Sequence, residues 1–266
     1  EYWILGREGA WSEETTSQAR RCNESFAAGK LAPCEGELVR LLEATGGDAK
    51  VAHNAAVWRY YTKGGDSEGL LAELEKLKVE LERRAALSSE GGDTADDGSE
   101  PDPVEHAVLH CNVGLLALRL RRYATARRAL DNLARALEPL DEPLAVRCCF
   151  ALLDALASQG ATSRGVEVLR LADKGVAALV DAKCLRFGFA SLSHVQVLLA
   201  LHKAQQHLQA GNVKAAKREI KAATAAAASV PASHAATATQ VPAMLLKARA
   251  EAQRGHLGKA QKLLSG

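Results

Sequence analysis

The chain has 266 residues, 47% of them hydrophobic but only eleven aromatic, and 34 Lys and Arg against 32 Asp and Glu give a formal net charge of +2. So near a balance of charge names no partner by itself, and a core that must be mostly Leu, Ala and Val favours helices, because Ala and Leu are the best helix formers. No stretch approaches the ~20 uninterrupted apolar residues of a membrane span, and the six cysteines lack the paired spacing of a disulfide framework or metal site, so small buried thiols in a reducing compartment are expected.

Residues 1–17, with Trp3 and Trp11 among Glu, Gly and Thr, show no period and stay unassigned. They lack the basic, apolar and cleavage-site succession of a signal peptide, so none is expected. Residues 18–87 read as N-terminal helical hairpins. Cys22 and Phe26 precede a break at Gly29, Leu31 plugs the turn, Pro33 suits the start of a helix, and Leu38, Leu41 and Leu42 continue it. A second hairpin runs from about Val51 to Tyr61, turns at Gly64-Gly65-Asp66-Ser67 and returns from Gly69 to Leu87, with Leu70, Leu74, Leu77, Val79 and Leu81 as its apolar stripe.

Residues 88–103, SSEGGDTADDGSEPDP, hold six carboxylates and no basic residue. Nothing there offsets the entropy of ordering, so an acidic disordered insert is expected. The carboxylates lack the spacing of a calcium loop.

Residues 104–266 read as further hairpins, with weak linkers near 180–190 and 230–240. Val108, Leu109, Val113, Leu116 and Leu120 line one helix face, and Gly114 and Ala117 beside them let the next helix approach closely. That helix carries Ala126, Leu130, Leu133 and Leu137; Pro139 ends it and Pro143 suits the first turn of the one after. Phe150, Leu153 and Leu156 face Val166, Leu169 and Leu171 across Gly160. Leu192, Val195, Leu198, Leu199, His202 and Leu208 lead to the turn Gly211-Asn212-Val213 and a partner helix with Ala215, Ala216, Ile220 and Ala223. The last hairpin holds Met244, Leu245 and Ala248, then Gly255-His256-Leu257, then Ala260, Leu263 and Leu264.

The turns share a pattern. Gly29-Lys-Leu, Gly211-Asn-Val and Gly255-His-Leu each set a glycine, a polar residue and an apolar plug at the bend, with Arg121-Arg-Tyr and Gly160-Ala-Thr as looser copies. Three residues beyond the plug stands a small side chain (Cys34, Ala126, Gly165, Ala216, Ala260), and four beyond that a large one (Leu38, Leu130, Leu169, Ile220, Leu264). Small residues for close approach and large ones for the layer between hairpins resemble the tetratricopeptide repeat. The expected fold is all-α, a tetratricopeptide-like α-solenoid of stacked antiparallel hairpins. Such stacks are binding scaffolds of many kinds, so the fold alone assigns no function.

Chemistry-bearing residues are few. His106 and His110 are four apart on one helix, but no third ligand accompanies them and the helix start explains them. Cys148-Cys149 reads as packing. No nucleophile elbow, Walker loop, dinucleotide fingerprint or Cys-x-x-Cys pair is present, so no enzyme, no cofactor and no small-molecule substrate is expected. Charge is more informative. Lys183 to Gly266 contains twelve Lys or Arg against two Glu, and Lys214, Lys217, Arg218 and Lys221 fall at i, i+3, i+4 and i+7, a basic stripe on one helix. It is either an ordinary solvated face, a surface for an acidic protein partner, or a track for phosphates. Direct RNA contact is not favoured, because no aromatic stacking platform accompanies the charges.

HNAAVWRYY at 53–61, CNVGLLALRLRRYATA at 111–126, EPLDEPLAVRCCFALLDAL at 138–156, GNVKAAKREIKAA at 211–223 and LLKARAEAQRGHLGKAQKLL at 245–264 together resemble the subunit 10 family of the CCR-NOT mRNA deadenylase complex. That resemblance implies a non-catalytic scaffold that joins subunit 11 and docks on the N-terminal region of the large scaffold subunit. It further implies a role in mRNA decay in the cytoplasm, with the nucleus also open. The concave face of the stack would receive a segment of subunit 11, oriented by the basic stripe. A direct RNA-binding repeat protein and an unrelated tetratricopeptide chaperone adaptor are the alternatives; the carboxylate clamp that the last requires cannot be assembled from the sequence.

Overall fold

The computed structural model describes residues 11–90, 107–135, 142–180, 189–230 and 240–265. Among them the structure is all-α. The helices are α1 (Glu13–Ala27), α2 (Cys34–Ala44), α3 (Ala49–Thr62), α4 (Ser67–Glu90), α5 (Ala107–Arg119), α6 (Tyr123–Arg135), α7 (Glu142–Ser158), α8 (Thr162–Ala178), α9 (Leu192–Gln209), α10 (Val213–Ala226), α11 (Val241–Gln253) and α12 (Leu257–Leu264). Residues 88–90 of the acidic run end α4; its remainder, His106, Pro139, Cys184 and most of the two linkers lie outside the described residues. The chain divides into two units, Glu1–Ala136 and Leu137–Gly266.

Five of the six hairpin turns, all but α3–α4, have one construction. In α1–α2 the N–H of Gly29 donates to Phe26 O (2.9 Å) and that of Lys30 to Ser25 O (2.8 Å), a Schellman closure that satisfies the last carbonyls of the helix. The same pair of bonds recurs at Arg121 and Arg122, Gly160 and Ala161, Gly211 and Asn212, and Gly255 and His256. The closure needs a left-handed residue, and Gly29, Gly160, Gly211 and Gly255 supply it at φ 72°, 69°, 75° and 79°. At α5–α6 the position falls to Arg121 at φ 58°.

In the first unit α1–α2, α3–α4 and α5–α6 pair, and consecutive hairpins meet through α2–α3 and α4–α5. Cys22, Cys34, Leu38, Leu41, Val51, Ala55 and Trp58 form one core layer, and the Trp58 indole donates to the Leu31 carbonyl at 2.7 Å, tying α3 to the first turn. Gly114 is buried against Leu130: a Cβ at Gly114 would stand 2.5 Å from Leu130 Cγ, so the close approach expected of α5 and α6 is present. A polar cluster lies within this core. His53 donates from Nδ1 to Asn54 Oδ1 (3.1 Å) and accepts at Nε2 from Asn112 Nδ2 (2.9 Å), joining α3 to α5. In the second unit α7–α8, α9–α10 and α11–α12 pair, while α7–α9 and α9–α11 add contacts between alternate helices. Within each unit the hairpins pack in chain order, as in an α-solenoid.

Several positions differ from the sequence expectation. Helix α1 begins at Glu13, not near Gln18, because the Ser12 side chain caps it by accepting from Thr15 N at 3.2 Å. On α4 the expected Leu70 and Leu74 are buried and Leu71 is buried with them, but Val79 is 62% exposed. On α8 the buried line is Gly165, Val168, Ala172 and Val176, with Val166 exposed. On α11 it is Ala243, Leu246, Ala248 and Ala250, with Leu245 exposed, and Leu264 of α12 is exposed too.

Candidate partner-binding groove

The four residues of the basic stripe all sit on α10, whose start is fixed by Asn212, its side chain accepting from Ala215 N at 3.1 Å. The inner face of α10 is small and apolar. Ala216, Ile220 and Ala223 join Val197, Leu201, Ala204 and Leu208 of α9 and Ala243, Leu246 and Ala250 of α11 in one core. Because α10 packs on both neighbours, part of its polar face is turned toward α11. The Gln253 side chain donates to the Leu208 carbonyl at 3.1 Å and fixes the end of α11 against the end of α9.

Between α10 and α11 lies a hollow of ≈ 490 Å³, lined by Lys217, Ile220, Lys221, Thr224 and Ala225 from α10 and by Lys247 and Glu251 from α11. The stripe therefore divides. Lys217 and Lys221 enter the groove, whereas Lys214 and Arg218 are exposed outside its lining. Lys217 donates to Glu251 Oε1, and His256 Nδ1 donates to Glu251 Oε2 at 2.8 Å. Those two donors, Lys217 first and His256 second, bring the Glu251 carboxyl down to about 2, so it stays ionised at any physiological pH. Lys214, Arg218, Lys221 and Lys247 have no ion-pair partner among the described residues.

Lys247 and Glu251 escape a reading that follows one helix at a time. Their signal is a Lys and a Glu at i, i+4 on α11, but it can be matched to α10 only once the register across the intervening linker is known.

Among the described residues the other candidates form no cluster. Of the His106–His110 pair only His110 lies within the described residues, where no three His, Cys, Asp or Glu side chains gather as metal ligands. Cys22, Cys34, Cys111, Cys148 and Cys149 are buried free thiols on helices. Burial pushes Cys149 up to about 12 and raises Cys22 and Cys34 as well, so these thiols are protonated and unreactive. None of the described helices is long and apolar enough to cross a membrane.

No family model matches the chain. It is similar to CCR4-NOT transcription complex subunit 10-B of Xenopus laevis, with 24% identity over 274 residues that take in 96% of this chain and 34% of that protein. The chain thus spans about a third of the length of this relative.

Proposed function

We propose that this chain, a relative of CCR4-NOT subunit 10 along nearly its whole length, is a non-catalytic adaptor subunit of a CCR4-NOT mRNA deadenylase complex. It joins subunit 11, docks on the N-terminal region of the large scaffold subunit, and serves mRNA decay in the cytoplasm and nucleus. The observation that carries this reading is the likeness to that subunit over 96% of this chain. An all-α stack with a partly apolar, charged groove is consistent with it, since hydrophobic anchors give such a surface affinity and charges give it orientation.

The test is affinity purification of the full-length protein from its own cells at moderate and high salt, with mass spectrometry of what stays bound. Recovery of subunit 11, the large scaffold subunit and the deadenylases is the expected result; their absence, with RNA or chaperones in their place, would reduce the likeness to shared architecture. Exposure of Lys214, Arg218 and Lys221 favours a second reading, direct RNA binding. It requires an RNA affinity that falls steeply with salt and is abolished by reversing Lys214, Lys217, Arg218 and Lys221.

A further inference from the structure

The geometry points to the groove between α10 and α11 as the docking site of an acidic protein segment that sets an apolar side chain between its carboxylates. This inference rests on the adaptor reading and names the chemistry of one partner. Lys221 and Lys247 come from different helices, line the same hollow and have no ion-pair partner among the described residues. They present two positive charges across a floor of Ile220, Thr224 and Ala225, and the aliphatic stems of the lysines extend that floor toward solvent. The C-terminal third of the sequence carries the same sign, with twelve Lys or Arg against two Glu from Lys183 to Gly266.

Two features favour a peptide over a nucleic acid. None of the lining residues is aromatic, so no base can stack. Glu251 places a fixed carboxylate in the wall, where a continuous phosphate backbone would meet repulsion. A peptide spaces its carboxylates and can pass Glu251 with an apolar side chain. Glu251 also occupies Lys217, which leaves Lys221 and Lys247 as the recognition pair.

Fluorescence polarisation with the full chain tests this, using a labelled peptide of four Glu-Glu-Leu repeats, its glutamine counterpart, and labelled oligoadenylate. The acidic peptide should bind and the glutamine peptide should not. Lys221→Gln with Lys247→Gln should weaken binding about tenfold, while Lys214→Gln with Arg218→Gln should change it by less than about twofold, both variants keeping wild-type circular dichroism. Glu251→Gln, which releases Lys217, should strengthen it by about threefold. Failure of the acidic peptide to bind overturns the proposal, as does equal weakening by the two lysine and arginine pairs, which would mean diffuse attraction. Preferential binding of oligoadenylate through Lys221 and Lys247 overturns it in favour of RNA. The adaptor reading is judged separately, by whether the wild-type chain recovers complex subunits from cells, and neither result decides the other.

Discussion

Arg121 occupies a backbone position that the other four Schellman hairpin turns, and the same closure at Gly46 between α2 and α3, give to glycine, at φ 58° against 61°–79°. An L-side chain in the left-handed region costs about 1–2 kcal/mol, and Arg121 is exposed with no ion-pair partner among the described residues to offset it. Arg121→Gly should therefore raise stability by about 0.5–1 kcal/mol after the greater unfolded-state freedom of glycine is subtracted, read as a higher urea midpoint with an unchanged slope. Gly160→Ala, at φ 69°, should move the midpoint the other way. Glu251 gives a second check at this scale. Its depressed carboxyl depends first on Lys217, so an NMR titration should find its midpoint near pH 2, and Lys217→Met should raise it toward the ordinary carboxylate range. A midpoint unmoved by Lys217→Met would mean that the ion pair does not form. The pair is invisible in the sequence because its members are 34 positions apart, whereas Lys214, Lys217, Arg218 and Lys221 follow from helical spacing alone.

At the scale of the elements, the helices and most of their turns were legible because a bend residue, polar residue and plug recur at five of the six hairpin bends, and those five close by the same two backbone bonds. The faces of α8 and α11 were not. A reading weighted by side-chain bulk selects Val166 and Leu245; the turn pattern marks Gly165, but close packing also selects Ala172, Ala243 and Ala250, and in an alanine-rich helix the small residues carry the register. Nor did apolar periodicity reveal the His53–Asn54–Asn112 cluster that pins α3 to α5. Burial lowers the His53 ring to about 4 from an ordinary 6.5. The unfolded chain takes up a proton near pH 6.5 that the folded chain refuses until about pH 4. Stability from this site is thus complete above pH 6.5, declines as pH falls toward 4 and is then spent, a change of about 3 kcal/mol. Urea unfolding of wild type and His53→Leu should show it as a stability gap that shrinks by about that amount between pH 7 and pH 4. An equal gap at both would mean that the folded ring accepts its proton freely.

Across the molecule, packing runs chiefly between helices adjacent in sequence, so stability should resemble a sum over neighbours and not the property of one shared core. Gly114 offers a way to test this. Its Cβ would press on Leu130 at 2.5–3.0 Å, and Leu130 is fully buried. Overpacking of that kind costs about 1–3 kcal/mol, which exceeds the ~1 kcal/mol that alanine gains over glycine in a helix. Gly36 on α2 has open space around the same site, so Gly36→Ala should stabilise where Gly114→Ala destabilises. Hydrogen exchange on Gly114→Ala should then rise in α5 and α6, more weakly in α4, and stay at the wild-type rate in α9, α10 and α11. If exchange rose equally in all of these, the chain would unfold as one cooperative body. Local exchange would mean that the groove of α10 and α11 keeps its shape when the first unit is perturbed, so that partner binding at one end of the chain can be altered by mutation without disturbing the other.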